Sequence, residues 1–375
     1  MAAMKLLCLA GDGIGPEIMA ATLQVLDAVH DALTLPVETV HADIGFVALS
    51  QTGSTLPDSV LETARQCDAV LLGPVSHNDY PPVEAGGINP SGVLRKALDL
   101  YANIRPAHRW DGLAPAAQKP IDLIVVRENH EGFYADRNMH LGPGEFMPVP
   151  GVALAIRRIT TEASLRIAKR AFAIAATRPA RKVAAIHKAN VMRVSDGLCL
   201  ETVRGVAAQH PDIAYEEILV DAAAAHLVRQ PDRFDVIVTT NMFGDILSDL
   251  ASELAGGLGL AGSLNVGPCH VAAQAQHGSA PDIAGRDLAN PVSLILSLEM
   301  LLRHKKQEQA ADLIRKAVAD ALAHPNTRTV DLGGTLGTAA FADGVASYVK
   351  SCLLYTSDAA DEHRDVGVAV GGGGR

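Results

Sequence analysis

The sequence predicts an α/β fold built on a sheet, and three observations carry that expectation. Short apolar runs of strand length (LLCLA, AVLLG, IDLIVV, KVAAIH, DVIVTT) recur along the chain. Between them lie longer stretches with helical periodicity, such as IMAATLQVLDAVHDAL and SLRIAKRAFAIAAT, and this alternation is the pattern of an α/β sheet protein. At 375 residues and 48% hydrophobic content, the chain can bury one large core or two modest ones, which suits a two-lobed enzyme.

Composition narrows the function further. With 42 acidic against 32 basic residues, a formal charge of -10 and no Lys/Arg-rich run, there is no electrostatic footprint for nucleic acid or an anionic membrane. Small-molecule chemistry is favoured. Cys8, Cys67, Cys199, Cys269 and Cys352 are scattered without a C-x-x-C pair, which argues against zinc or a disulfide framework and fits a reducing cytoplasm.

Taken in order, the N-terminal MAAMKLLCLAGDGIGPE has an apolar stretch too short for a signal-peptide core or a spanning helix, so LLCLA reads as the first strand. Gly11-Asp12-Gly13-Ile14-Gly15-Pro16-Glu17 follows it and opens a helix. A dinucleotide fingerprint is G-x-G-x-x-G; here its third glycine is missing and Pro16 sits where proline starts helices. Asp12, Gly13 and Gly15 fit a tight strand-to-helix turn as well as a phosphate contact. Gly/Pro-rich stretches at 81–90 and 142–151 read as loops around a site. Arg95 lies near the end of the helical SGVLRKALDLY, Arg105 closes the strand-like ANIRP and Arg127 opens VRENHEGFY. A guanidinium grips a carboxylate through two parallel N–H bonds, so three arginines beside apolar strands suit a substrate with two or three carboxylates. Three ordinary surface arginines are the alternative.

Further along, KVAAI leads into His187-Lys188-Ala189-Asn190, where a buried or metal-adjacent Lys188 would move protons; Tyr134 is a second candidate for that work. The strand DVIVTT runs into Asn241-Met242-Phe243-Gly244-Asp245-Ile246-Leu247-Ser248-Asp249. On a helix Asp245 and Asp249 share one face, and two carboxylates so placed can hold a hard divalent cation. Acids complementing a helix dipole explain Asp245 easily and Asp249 less well. Asp221, ending EEILVD, is a third oxygen donor if the fold brings it near. His277-Gly278-Ser279-Ala280-Pro281-Asp282-Ile283-Ala284-Gly285 and Ala289-Asn290-Pro291 precede a long helix. Their small residues let backbone approach a flat ring or pyrophosphate, and Asp282 can accept from both ribose hydroxyls while repelling a 2′-phosphate. A plain surface loop is the alternative. The last helix-like pattern covers Val345 to Leu354. Residues 355–375 read as disordered, and LLYTSDAADE resembles translated sequencing adapter, which places the expected native end near Cys352.

Together GDGIGPE, SGVLRKALDLYANIRP, VRENHEGFY, HKANV, YEEILVD, TTNMFGDILSDLASELAGGLGLAGS and HGSAPDIAG, in that order along the chain, resemble the β-decarboxylating dehydrogenases of the isocitrate and isopropylmalate family. The resemblance implies an isopropylmalate dehydrogenase-like two-lobed α/β fold that is not a true Rossmann fold. Its doubly wound larger lobe (1–100 plus 250–354) would bind the cofactor. An inserted smaller α/β lobe (101–249) would carry substrate, metal and dimer-interface residues. The resemblance also implies a homodimer with shared active sites, NAD, and Mg²⁺ or Mn²⁺. The reaction would oxidise a malate-type 2-hydroxy acid and then release its β-carboxylate as CO₂. Matched motif by motif, Arg95, Arg105 and Arg127 would clamp the substrate carboxylates. Asp245 and Asp249 of one subunit and Asp221 of the other would hold the metal. Lys188 from the partner subunit would take the hydroxyl proton, and Tyr134 would protonate the enolate. Asn190 would lie beside the nicotinamide; His277, Gly278, Ser279, Ala280, Asp282 and Asn290 would bind the adenosine, with Asp282 selecting NAD over NADP.

Substrate choice rests on the segment before Arg95. Ser91 and Gly92 stand where isopropylmalate enzymes carry leucines lining the isopropyl pocket. Asn89 and Ser91 reproduce the serine and asparagine of isocitrate enzymes in exchanged order. The expected substrate is therefore a hydroxy di- or tricarboxylate of the isocitrate or homoisocitrate type, with 3-isopropylmalate, tartrate and D-malate as alternatives. Some members of the family are non-catalytic regulatory subunits that lose metal or proton-transfer residues. Lys188, Tyr134, Asp221, Asp245 and Asp249 are all present here.

Overall fold

The computed structural model describes residues 3–114, 116–134, 139 and 144–362. Strand β1 (Met4–Leu9) explains why the apolar runs do not alternate with polar residues: Leu6 and Cys8 enter one core cluster, and Leu7 and Leu9 enter another on the opposite face. A strand covered by helices on both sides has no solvent face to reserve for polar groups.

The other strands of the main sheet are β2 (Val37–His41), β3 (Ala69–Leu72), β4 (Ala102–His108), β5 (Asp122–Glu128), β8 (Lys182–His187), β9 (Ala214–Leu219), β10 (Val236–Thr239), β11 (Leu264–Val266) and β12 (Val271–Gln274). All ten strands form one sheet in the order β2-β1-β3-β12-β11-β4-β5-β10-β8-β9. Pairing is parallel at both ends and antiparallel through the middle, β12-β11-β4-β5. A dinucleotide-binding Rossmann sheet is parallel throughout, so the antiparallel centre sets this sheet apart from it, as the resemblance implied. One half of the sheet draws on residues 4–72 and 264–274, the other on residues 102–239.

Helices cover both faces of each half. On the first half, α1 (Gly15–Leu33), α9 (Val292–His304), α10 (Glu308–Ala323) and α11 (Thr338–Glu362) share one cluster; α3 (Asp58–Gln66) and α4 (Pro90–Ala97) contribute to the other, with Ile44 at the N-cap of α2 (Gly45–Thr52). On the second half, α5 (Thr161–Thr177) and α6 (Ser195–Ala207) lie on one face, and α7 (Val220–Arg229) and α8 (Asn241–Ala255) on the other. Buried asparagines tie the halves together where the sheet is antiparallel. Asn103 Nδ2 donates to Ser263 Oγ at 2.9 Å and to Asn265 Oδ1 at 3.0 Å, and Asn129 Nδ2 donates to the same Asn265 oxygen at 3.0 Å.

Two expectations need correction. The stretch 142–151 was read as loop, yet Glu145–Val149 (β6) and Val152–Ala155 (β7) pair as an antiparallel hairpin. Phe146, Val149 and Val152 have strong strand preference; Pro150 and Gly151 make the turn, and Pro148 is accommodated inside β6 where the register shifts between Phe146 and Val149. Second, α11 continues past Tyr355, where regular structure was expected to end. Nothing between Tyr355 and Glu362 is glycine or proline, so nothing in the sequence stops an established helix from propagating. The remainder of that tail, 363–375, lies outside the described residues. Among the described residues no helix is long and apolar enough to cross a membrane.

Candidate active site

The β1–α1 turn is structural first. Asp12 is buried and accepts from Phe46 N at 2.8 Å, from Ser76 N at 3.0 Å and from the Tyr80 hydroxyl, so its carboxylate fixes three loops to one another. Gly13 has φ +59°, and a Cβ there would stand 1.9 Å from the Ser279 carbonyl, so only glycine lets this turn meet the HGSAPD loop. Ser279 is itself buried; its carbonyl accepts from Ile14 N at 2.8 Å and its hydroxyl lies 2.7 Å from that of Ser76.

The three predicted arginines converge. Asn103 and Arg127 are directly paired across β4 and β5, and Arg105 lies two residues along, so both arginines project from the same sheet face towards α8. They are not surface residues: Arg105 is 7% exposed and Arg127 is 1% exposed. Gly244 of α8 permits the approach, since a Cβ there would sit 2.7 Å from the Arg127 side chain. Arg127 Nε donates to Asn241 Oδ1 at 2.8 Å, its Nη2 donates to the Tyr134 hydroxyl at 2.9 Å, and its Nη1 pairs with Asp245. The Tyr134 hydroxyl in turn donates to Asp245 Oδ2 at 2.6 Å.

Asp245 and Asp249 do share a face of α8, as their spacing predicted. Their Oδ1 atoms lie 3.1 and 3.0 Å from the same Arg105 nitrogen, so the arginines offset the repulsion between them. Burial pushes the Asp245 carboxyl up, but the Arg127 and Arg105 guanidinium groups and the Tyr134 hydroxyl outweigh it and hold the group below the usual carboxylate range. Two carboxylates on one helix face are the kind of hard oxygen donors that suit a divalent cation. Among the described residues no three His, Cys, Asp or Glu side chains converge on one position.

These groups line a cleft of about 390 Å³ that contains Asn89, Ser91, Arg95, Arg105, Arg127, Tyr134, Asp245, His277 and Gly278. Asn89 caps α4, its Oδ1 accepting from Gly92 N at 3.2 Å. A smaller cleft of about 220 Å³ adjoins it through His277 and Gly278 and is walled by Ile14, Ala280, Ile283 and Asn290. Burial lowers the His277 imidazole pKa against the raising effects of the Gly278 carbonyl and Asp331. Asn290 Nδ2 donates to Asp331 Oδ2 at 2.9 Å. Asp282 is exposed and lines neither cleft.

Lys188, Asn190 and Asp221 also line neither cleft. Within one chain Lys188 Nζ pairs with Asp221 Oδ1 at 2.8 Å, and the ammonium holds that carboxyl below its ordinary value. Asn190 is exposed. Sequence reasoning missed the residues that hold these groups. Asp196 accepts from Lys188 N at 2.6 Å and pairs with the buried Arg157 guanidinium at 2.6 Å. Gln274 and Gln276 line the main cleft beside the arginines. A signal was present for Gln274, the one polar residue of the apolar strand VAAQ; Gln276 lies beyond that strand's end.

Comparison with known proteins identifies the family. A family model described as isocitrate/isopropylmalate dehydrogenase matches residues 5–345. An isocitrate/homoisocitrate dehydrogenase from Thermus thermophilus is 41% identical over 350 residues, covering 93% of this chain and 99% of that one. A 3-isopropylmalate dehydrogenase from Archaeoglobus fulgidus is 43% identical over 346 residues, covering 92% and 98%. The crystal structure of isocitrate dehydrogenase from Methylococcus capsulatus superposes with a TM-score of 0.83 at 38% identity, covering 92% of this chain and 99% of that one. On fold and on similarity along nearly the whole chain, this protein belongs to the isocitrate/isopropylmalate dehydrogenase family, whose members are NAD-dependent decarboxylating dehydrogenases.

Proposed function

We propose that the protein oxidises and decarboxylates a 3-substituted malate with a polar substituent, of the isocitrate or homoisocitrate type, using NAD and Mg²⁺ or Mn²⁺. The observation that carries this reading is the convergence of Arg95, Arg105 and Arg127 with Tyr134 and Asp245 in a cleft whose α4 wall is Asn89, Ser91 and Gly92. A branched apolar substituent would need apolar side chains on that wall, and none is there.

In this reading the arginines bind and orient the carboxylates, and the buried Arg127, braced by Asn241 and Asp245, sets the substrate's position. When bound, the cation polarises the 2-hydroxyl and stabilises developing enolate charge, and the nicotinamide accepts hydride. Asp245 and Asp249 would hold the cation, together with Asp221 of the partner subunit. Lys188 of the partner subunit takes the hydroxyl proton. Tyr134 holds a proton on its hydroxyl for the enolate carbon, and the N–H donated by Arg127 stabilises the oxygen left behind. Asn190 meets the nicotinamide. The adenosine lies in the smaller cleft, with Ser279 anchoring the loop and Asp282, on the same loop, disfavouring a 2′-phosphate.

A homodimer with shared sites follows from this reading, and so does the division into a cofactor lobe (1–100 with 250–354) and a substrate lobe (101–249). Exposed apolar residues support the dimer: Val191 and Val194 follow Lys188, Ile246 lies between the two aspartates, and the β6–β7 hairpin exposes Met147 and Leu154. Cys8, Cys67, Cys199 and Cys269 are unpaired, which supports a reducing compartment such as the cytoplasm.

The test is NADH formation with Mg²⁺ or Mn²⁺ across isocitrate, homoisocitrate, D-malate, tartrate and 3-isopropylmalate, with NADP in parallel. We expect one polar-substituted acid to lead, EDTA to abolish the signal and NADP to be poor. Turnover of 3-isopropylmalate within about tenfold of the best substrate would overturn the polar-pocket assignment. Inertness towards every acid would overturn the catalytic one.

A further inference from the structure

We propose that Gln274 is a specificity-determining residue that reads the substrate's 3-substituent; this rests on the function proposed above. Gln274 closes β12 and is 9% exposed. Its backbone is held at both ends: its N–H donates to the Ser263 carbonyl at 3.0 Å and its carbonyl accepts from Ser297 Oγ at 2.9 Å. The side chain therefore starts from a fixed point on β12 and reaches across to α4.

There its amide has a defined orientation. Oε1 accepts two hydrogen bonds, from Ser91 Oγ at 3.1 Å and from Arg95 Nη2 at 3.1 Å. The Ser91 hydroxyl could accept as well as donate, but Arg95 only donates, so exchanging the amide oxygen and nitrogen would set donor against donor there. Nε2 is thereby turned away from Ser91 and Arg95, on a side chain that lines the same cleft as Asn89 and all three arginines. The group presented to the ligand is a neutral N–H donor, next to the residue that discriminates substituents in the α4 wall.

Neutrality matters as much as donation. A carboxylate at this position would keep both bonds to Ser91 and Arg95, but it would cancel the Arg95 charge and face an anionic substrate. The amide organises Arg95 without neutralising it. Gln274 thus selects for a substituent that accepts a hydrogen bond, a carboxylate above all, and against one that is apolar, which would leave the amide N–H unsatisfied in a closed site.

The experiment compares the wild type with Gln274→Glu and Gln274→Met, measuring kcat and KM for isocitrate, homoisocitrate and D-malate, which has no 3-substituent. Protection against thermal unfolding by each acid with Mg²⁺ is measured alongside. Gln274→Glu preserves the acceptor for Ser91 and Arg95, so a residue with a purely structural role would tolerate it. We expect it instead to raise KM for the best substituted acid by about 10-fold to 100-fold relative to the change for D-malate, with kcat changing less and with matching loss of thermal protection. Gln274→Met, which removes both functions, should weaken substituted acids at least as much. An unchanged preference between substituted acid and D-malate in Gln274→Glu overturns the assignment while leaving the proposed function intact. A wild type inert on all three acids overturns the proposed function and this assignment with it.

Discussion

Tyr134 places one hydroxyl between two opposite charges, accepting from Arg127 and donating to Asp245. Removing that oxygen leaves both charges and the ring in place, so Tyr134→Phe tests proton delivery more cleanly than a change to either charged partner. We expect kcat to fall by about 10²-fold to 10⁴-fold, the usual range for a positioned acid, with a smaller change in KM. A loss confined to KM would assign Tyr134 to binding instead. The residue was legible in the sequence because it stands inside a recognisable motif; its partner Asp245 stands 111 residues away, and only folding creates the bond. The glutamines were harder. Nothing distinguishes Gln276 in sequence, yet its Nε2 donates to Asp249 Oδ1 at 2.9 Å and to Ser252 Oγ at 3.0 Å, steadying a proposed metal ligand. An amide has no preferred chemistry of its own, so its role is decided by neighbours that periodicity cannot name.

The strands were the most legible elements, because burial on both faces forces the continuous apolar runs seen at Leu6–Leu9 and Val236–Val238. Their ends were less so. β5 ends on Glu128, whose Oε1 accepts from His130 N at 2.9 Å and whose Oε2 accepts from Glu131 N at 2.7 Å, shaping the turn that leads to Tyr134. Burial raises its pKa from the ordinary 4.5 to about 7; the backbone N–H groups of Glu131 and His130 oppose the rise, and the Glu131 carboxylate adds to it. In the unfolded chain this carboxyl loses its proton near 4.5, whereas the folded chain keeps it until about 7. The contribution of this group to stability is therefore full below the lower value and is lost as pH climbs through the upper one. Gln cannot ionise, so the thermal stability of Glu128→Gln relative to wild type should improve steadily across that window. A difference in Tm that stays flat with pH would mean the carboxyl ionises normally in the fold.

At the scale of the whole molecule, the groups proposed for one reaction are distributed in a way that a single chain does not complete. Asp245 and Asp249 stand at the arginine cleft, while Lys188 and Asp221 bind each other and line neither cleft. Val191 and Val194, just beyond Lys188, are 69% and 88% exposed, and Ile246, between the aspartates, is 59% exposed. Burying these faces against a second copy would remove apolar surface from water and carry the lysine of each chain towards the aspartates of the other. In the sequence only the family resemblance assigned Lys188 to the partner subunit, because spacing says nothing about which chain completes a site. Complementation can. Lys188→Ala and Asp245→Asn chains should each be nearly inactive alone. Unfolded together and refolded, they should form mixed dimers in which one site takes its lysine from one parent and its aspartate from the other. Random pairing makes half the dimers mixed, each with one intact site of two, so about a quarter of wild-type specific activity should return if the dimer is symmetric. Activity no greater than the sum of the two parents would place Lys188 and Asp245 in the same chain's site and end the shared-site reading.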